Sequence, residues 1–433
     1  MVLDINKRIY SNEALGKKGG SRIVVGGWAE EVRDLGKLVF IILRDREGKI
    51  QITAKDDLAK KTRDLPRESV ILAKGVIKEG KQKSGAKELL LEDFEILSKA
   101  DTLPIEFLGK GVETDLSKRL DYRFIDVRNP KISAIFKVRS VVEALATEFF
   151  VEKGFLRIDS PKILGAASES GANVFSFPYF DKTGFLAQSP QFYKQMALAT
   201  GFDKVWELAP VFRAEKHNTT RHTCEYTSLD FEMAFIKDYG EVMDVLEELL
   251  VHVIKGVKAQ CRDELELIGA KIDVPKRPFP RITMSEAVEI VKKMGAKVED
   301  EDLNSAEEAM LGEYVKKKYK HDFVFLTEFP WSVRPFYHMK LGKGKTCSTD
   351  LLFKGLEITT AAQREHRYDV LAKQAKEKGI QEVTKEYLDS FKYGMPPHGG
   401  GGTGIARVVK QILNLENIRE AILFPRDPER IVP

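Results

Sequence analysis

The sequence predicts an α+β chain of two domains, a small N-terminal β-barrel followed by a larger antiparallel sheet flanked by helices. Three observations carry this reading. The 433 residues exceed what one ordinary core organises. Residues 22–97 hold five short apolar runs punctuated by Gly, Lys and Asp, with one short polar segment between the third and fourth. Further along, the runs Trp206 to Phe212 and Tyr226 to Phe235 flank a charged loop in the pattern of a long β-hairpin.

Composition narrows the class. Hydrophobic residues make up 43% and charged residues 31%, which fits a globular chain and excludes a disordered one. Cys224, Cys261 and Cys347 lie far apart with no CxxC, so neither a disulfide framework nor a structural zinc site is expected. The start lacks an apolar signal core and no uninterrupted apolar run approaches 18 residues, so a cytoplasmic protein with no membrane association is expected. Net charge is +4, and residues 1–100 carry 21 Lys and Arg against 16 Asp and Glu. The positive excess therefore sits at the N-terminus, where it suits a polyanionic partner.

In the barrel, RIVVGGW, KLVFIILR, KIQIT, SVILAKGVI and KELLLEDFEIL read as strands and DDLAKKTRDLP as the interruption. Five strands with that break fit an OB barrel over residues 1–105, a fold that commonly stacks single-stranded bases on exposed aromatics. Alternation puts Val39 and Ile41 on one face and Phe40 and Ile42 on the other, without saying which face is buried.

A polar connector spans 106–130 and ends in Pro130, so the second domain is expected over 131–433. Val138, Val141, Val142, Leu145 and Phe149 recur at helical spacing, with Gly154 as the stop. In the hairpin, Leu229, Phe231 and Met233 share one face while Asp230 and Glu232 share the other. Its loop carries Arg213, Glu215, Lys216, His217, Arg221 and His222, and guanidinium forks suit a polyphosphate. A helix follows from Tyr239 to about Val257. Residues 258–320 read as a helical insertion outside the main sheet, with no chemistry of their own. Asp350 and Glu357 flank a Lys354-Gly355 turn, a spacing at which two carboxylates can hold Mg²⁺ while phosphates complete its shell. The stretch GMPPHGGGGTGIARVVKQIL reads as a Gly-rich loop entering a helix. A dinucleotide fold is excluded there because no strand precedes the loop and only 29 residues follow Gly404.

FRAE followed by RHTCEYTSLDFEM closely resembles the second signature motif of the class II aminoacyl-tRNA synthetases. GFLRIDSP is similar to the first motif, a dimer-forming helix and strand, and GTGIAR to the third. Within the class, QSPQFYKQ and the barrel look like the aspartyl-tRNA synthetases of archaeal and eukaryotic type.

The resemblance implies a two-step reaction, in which ATP activates L-aspartate to the adenylate and the 3′ end of tRNA(Asp) then receives it. It implies that Arg213 grips the α-phosphate, Tyr226 stacks on adenine and Arg407 meets the γ-phosphate, with Ala214, Glu215, Arg221, His222, Thr223, Gly404, Ile405 and Ala406 around ATP. Glu357, Thr360 and Asp350 would hold Mg²⁺. Glu169 would take the amino group. Gln191, Phe192, Tyr193, Lys194 and Asp230 would line the amino-acid pocket, with Lys194 and Arg364 clamping the β-carboxylate. Trp28, Arg33, Phe40 and Gln51 would read the anticodon, whose central base tRNA(Asp) and tRNA(Asn) share, so the barrel leaves tRNA(Asn) open as a second acceptor. Two departures stand out: Thr360-Ala361 replaces the usual Ser-Gly, and Ala406 replaces the acid that normally precedes the motif-three arginine. Asparaginyl-tRNA synthetase and tRNA-independent asparagine synthetase remain as alternatives of the same fold, and Lys194 and the barrel respectively speak against them.

Overall fold

A computed structural model describes residues 3–79, 87–107, 114–166, 173–216, 218–299, 301–381 and 384–433. Glu169 and His217 lie outside the described residues. The chain divides into two compact units, Met1–Glu106 and Phe107–Pro433.

The first unit follows its apolar runs. Strands β1 (Arg22–Asp34), β2 (Leu38–Arg44) and β3 (Lys49–Lys55) form a meander, helix α1 (Asp56–Thr62) follows, and β4 (Val70–Glu79) and β5 (Lys87–Ser98) complete the set. β3 pairs with β5, β5 with β4, and β4 returns to β1, which closes the barrel. Val39 and Ile41 are fully buried in its core, so Phe40 and Ile42 belong to the outer face. Gly27 permits the tight crossing of β1 and β2, since a β-carbon there would sit 2.2 Å from the Arg44 carbonyl oxygen. A two-residue strand, Arg8–Ile9, adds parallel to β1, an element too short to show in the sequence pattern.

In the second unit, Asn129 caps helix α2 (Pro130–Glu152), Pro130 opens it at a position needing no amide, and Gly154 ends it at φ +74°. The described residues form an eight-stranded sheet in the order β9-β10-β11-β12-β13-β8-β7-β6. These strands are β6 (Leu156–Arg157), β7 (Lys204–Phe212), β8 (Glu225–Ala234), β9 (Arg281–Thr283), β10 (Phe323–Thr327), β11 (Ser348–Phe353), β12 (Leu356–Gln363) and β13 (His398–Gly404). Only the β9–β10 and β7–β6 pairs are parallel. One sheet face packs on α2, α4 (Tyr239–Gln260) and α6 (Ile405–Leu413), burying Val138, Val142, Leu145, Phe149, Leu229, Phe231 and Met233. The other face is left for polar side chains.

Three sequence expectations change here. The 106–130 connector contains two short helices, Leu116–Asp121 and Arg123–Asp126, and the fully buried Arg123 donates to the carbonyls of Glu420, Ile422 and Leu423, so it is part of the second unit's packing. Within 258–320, strand β9 joins the main sheet instead of lying outside it. The glycine run is itself a strand. Gly399–Gly402 pair with β8 on one side and β12 on the other, and the missing β-carbons are what allow it: a β-carbon on Gly400 would lie 2.1 Å from the Phe231 carbonyl oxygen and 2.5 Å from a Glu232 carboxylate oxygen, and one on Gly402 would lie 2.8 Å from Asp230. Among the described residues, no helix is long and apolar enough to cross a membrane.

Candidate active site

Strand alternation sends Asp230 and Glu232 of β8 to the polar face, beside the bare backbone of β13. Over this floor lies a cavity of about 310 Å³. It gathers Gln191, Arg213, Glu215, Arg221, His222, Thr223, Tyr226, Asp230, Glu357, Thr360, Arg364, Gly404, Ala406 and Arg407, residues up to 216 positions apart in sequence. The residues chosen from three separate motifs therefore line one hollow.

At one end is a buried charge network. The Arg364 guanidinium donates to Glu232 Oε1 at 3.0 Å, to the Gly400 carbonyl at 2.9 Å and to Gln191 Oε1 at 3.3 Å. Lys194 Nζ donates to Asp230 Oδ1 at 3.0 Å and the Gly401 carbonyl at 2.9 Å, and lies 3.5 Å from Glu232. Two cations thus face two carboxylates, a composition that burial tolerates only with this degree of pairing. His338 completes the group. Its Nε2 lies 3.0 Å from Arg364 Nη1, and a guanidinium can only donate, so Nε2 accepts and the ring is the neutral Nδ1–H tautomer. Burial and then the charge on Arg364 push His338 well below the usual histidine range, in agreement with that geometry.

At the other end the β11–β12 hairpin brings Asp350 and Glu357 near each other. Asp350 gives Oδ2 to Arg334, while Oδ1 is buried without a partner among the described residues. Burial raises the Asp350 carboxyl despite Arg334, and Glu357 raises it further. Burial pushes Glu357 in the same direction, but Arg407, Arg334 and Arg213 together hold it below its ordinary value. An ionised acid facing a second acid with an orphaned oxygen fits a hard divalent cation, and Thr360, which donates to Glu357 Oε1 at 3.2 Å, adds a third oxygen. Among the described residues no three His, Cys, Asp or Glu side chains form a protein-only cage, which Mg²⁺ shared with phosphates does not require. Arg407 does not depend on the acid missing at Ala406: its Nη1 donates to the Glu357 carbonyl at 2.7 Å and lies 3.4 Å from the Glu357 carboxylate.

Six expected residues do not line the cavity. On helix α3 (Gln191–Leu198) only Gln191 faces it. Phe192, a helical step round, stacks on Tyr387 at 4.4 Å in an aromatic cluster, and Tyr193 is half-buried elsewhere. Lys194 sits one layer behind, its ammonium taken up by Asp230, Glu232 and Gly401. Asp350 pairs with Arg334 and does not line the hollow, Ala214 uses its amide on the Asn173 carbonyl, and Ile405 is core. Conversely Gln188, Ser189, Ser228, Arg334 and His338 line the cavity without having been read as site residues. Arg334 and His338 fall in FPWSVRPFYH, whose aromatics mark it as packing.

On the outer face of the barrel, Arg33, Phe40, Ile42, Gln51, Thr53, Lys55 and Glu88 line a groove of about 360 Å³. Gln51 Nε2 and Thr53 Oγ1 both donate to Glu88 Oε2, at 2.8 and 2.7 Å. Trp28 lies outside this groove, beside Arg44.

A family description for tRNA synthetases of class II (D, K and N) matches residues 115–428. The chain belongs to that family. A description for an OB-fold nucleic acid binding domain matches residues 23–97 of this class II synthetase. Over 98% of its length it is 46% identical to the aspartate–tRNA(Asp) ligase of Pyrococcus horikoshii, of which 99% is covered. It is 43% identical to the aspartate–tRNA(Asp/Asn) ligase of Methanopyrus kandleri, across 99% of this chain and all of that one. Among solved structures, the asparaginyl-tRNA synthetase of Pyrococcus horikoshii complexed with asparaginyl-adenylate superposes with a TM-score of 0.90 at 32% identity, covering 98% of this chain and 99% of that one. The aspartyl-tRNA synthetase of Entamoeba histolytica gives 0.87 at 31%, covering 99% and 93%.

Proposed function

We propose that this class II synthetase is an aspartate–tRNA ligase that activates L-aspartate with ATP and transfers it to the 3′ end of tRNA(Asp). The charge count at the closed end of the cavity carries the choice of amino acid. Asp230 lines the cavity and is the acid available to the substrate ammonium. Lys194 and Arg364 then face a single acid, Glu232, and the surplus positive charge matches one carboxylate beyond the α-carboxylate. Asparagine would leave that charge uncompensated in a buried site, at a cost on the order of 10²- to 10³-fold in discrimination.

In this reading, Arg213 grips the α-phosphate, Arg407 the γ-phosphate and Tyr226 the adenine ring, while Arg364 receives the β-carboxylate with the Lys194 charge behind it. The substrate α-carboxylate attacks the α-phosphorus and pyrophosphate departs, so no protein nucleophile is required. Catalysis rests on alignment and on positive charge placed where charge grows. Asp350, Glu357 and Thr360 would hold Mg²⁺, which supplies neutralisation of the polyphosphate when bound. The barrel groove takes the anticodon, with Phe40 as the stacking platform and Gln51 and Arg33 as polar partners. The enzyme is cytoplasmic and works as a homodimer, for which the half-exposed Leu156 and Ile163 beside motif one offer apolar surface. tRNA(Asn) is a second candidate acceptor, as the names of the Methanopyrus kandleri and Aeropyrum pernix relatives suggest.

Pyrophosphate exchange with aspartate against asparagine tests the amino-acid choice, and comparable rates would overturn it. Charging of tRNA(Asp) and tRNA(Asn) side by side settles the acceptor.

A further inference from the structure

The segment read as an insertion without chemistry sends one side chain into the wall of the site. Helix α5 (Ser305–Tyr319) is capped by Asn304, whose side chain accepts from the Ala306 and Glu307 amides while Glu307 reaches back to the Asn304 amide. That box fixes the first turn. The next residue, Glu308, is therefore free of capping duty, and its carboxylate forms a nearly buried ion pair with Arg221 of the β7–β8 loop.

The helix is also fixed along its length. A β-carbon on Gly312 would lie 2.5 Å from the Gly355 amide nitrogen, and one on Gly355 would lie 2.7 Å from Ala309 Cα and 2.8 Å from the Glu308 carbonyl oxygen. Gly355 sits at φ +71° in the turn between β11 and β12, two residues before Glu357. Backbone on backbone contact of this kind leaves no slack. One rigid helix therefore touches the turn that aims Glu357 and holds the side chain of an arginine in the phosphate loop. Arg221 lines the cavity, and its Nε is buried without a partner among the described residues.

We infer that Glu308 is a positioning residue for ATP: it holds the Arg221 guanidinium toward the polyphosphate and keys the β7–β8 loop to the metal-binding hairpin through α5. This rests on the reading of the cavity as an ATP site. Glu308 itself touches no substrate. A guanidinium on an unrestrained side chain must order itself on binding, whereas one held by a carboxylate is ordered beforehand.

The test is aspartate-dependent pyrophosphate exchange by the full chain, varying ATP at saturating aspartate and then the reverse. Glu308→Ala raises the KM for ATP about ten-fold, the scale of one charge-assisted bond, and leaves the KM for aspartate within about two-fold. Glu308→Gln, which keeps the shape and one acceptor oxygen, falls in between. In an Arg221→Ala background, Glu308→Ala adds nothing further, because its effect passes through that arginine. An unchanged KM for ATP in Glu308→Ala, an equal rise in both KM values, or a full additional loss in the Arg221→Ala background each overturns the inference. Should Glu308→Ala fail to fold, Glu308→Gln alone carries the same comparison. Absence of exchange in the unmodified chain would instead sink the ATP reading itself.

Discussion

Arg364 illustrates how much of the proposed specificity rests on single side chains. Its guanidinium reaches Glu232, Gln191, His338 and a backbone carbonyl at once. Arg364→Gln removes the cavity-facing cation yet leaves Lys194 beside Glu232, so the fold survives while kcat/KM for aspartate drops roughly 10²- to 10³-fold. Exchange kinetics check this, and a drop below ten-fold would refute the role. The cysteines make a separate point. Burial pushes Cys261 and Cys347 each up to about 11 and raises Cys224 as well. A raised thiol pKa means less thiolate at any lower pH, so between pH 7 and 9 the native chain alkylates far more slowly with iodoacetamide than the urea-unfolded chain. Equal native and unfolded rates, read by mass spectrometry, would contradict the burial. At this scale local patterns led to Arg213, Glu357 and Arg407, which line the cavity, but the same patterns also led to Phe192 and Ile405, which pack elsewhere. Arg334 and His338 were opaque because their roles depend on β11 and β12 neighbours that no local spacing announces.

Elements were legible where apolar period and stop signals agree, as in α2 with its Asn129 cap, Pro130 start and Gly154 stop. They were not legible where tertiary packing overrides propensity. Glycine disfavours strands, so a run of four reads as a loop, yet β13 lies in mid-sheet because the side chains of Asp230 and Glu232 occupy the volume its β-carbons would need. Gly400→Ala consequently forces two strands apart and costs about 1–3 kcal/mol, a melting-temperature drop of several degrees measurable by circular dichroism. A melt within one degree of the parent would show that the sheet gives way there. The same logic explains why 258–320 read as inert: the value of Glu308 lies in a partner 87 residues earlier.

The two units carry separate cores and separate proposed tasks, the barrel for anticodon recognition and the larger unit for adenylation. Phe40→Ala in the barrel removes a stacking surface worth about 1–3 kcal/mol per base. Its loss falls on tRNA charging, with KM for tRNA(Asp) rising ten-fold or more, and not on amino-acid activation. A defect of equal size in both assays would refute that division of labour. The two-domain plan itself was plain from length and from where the strand runs cluster, whereas the docking of Arg123 onto the C-terminal carbonyls was not, because it joins residues some 300 positions apart.

The glycine strand has a consequence for how the enzyme comes into being. Five of the seven residues of β13 are glycine, each forfeiting more backbone entropy than any other residue on ordering. β13 has little to gain from zipping to either neighbour alone. Among the described residues, the strand bearing Asp230 and the strand bearing Glu357 do not pair with each other in the sheet, each pairing with β13 instead, so the hollow they line should mature late and as a unit, and amide protons of residues 399–404 should become protected from deuterium in the same step that first confers nucleotide affinity.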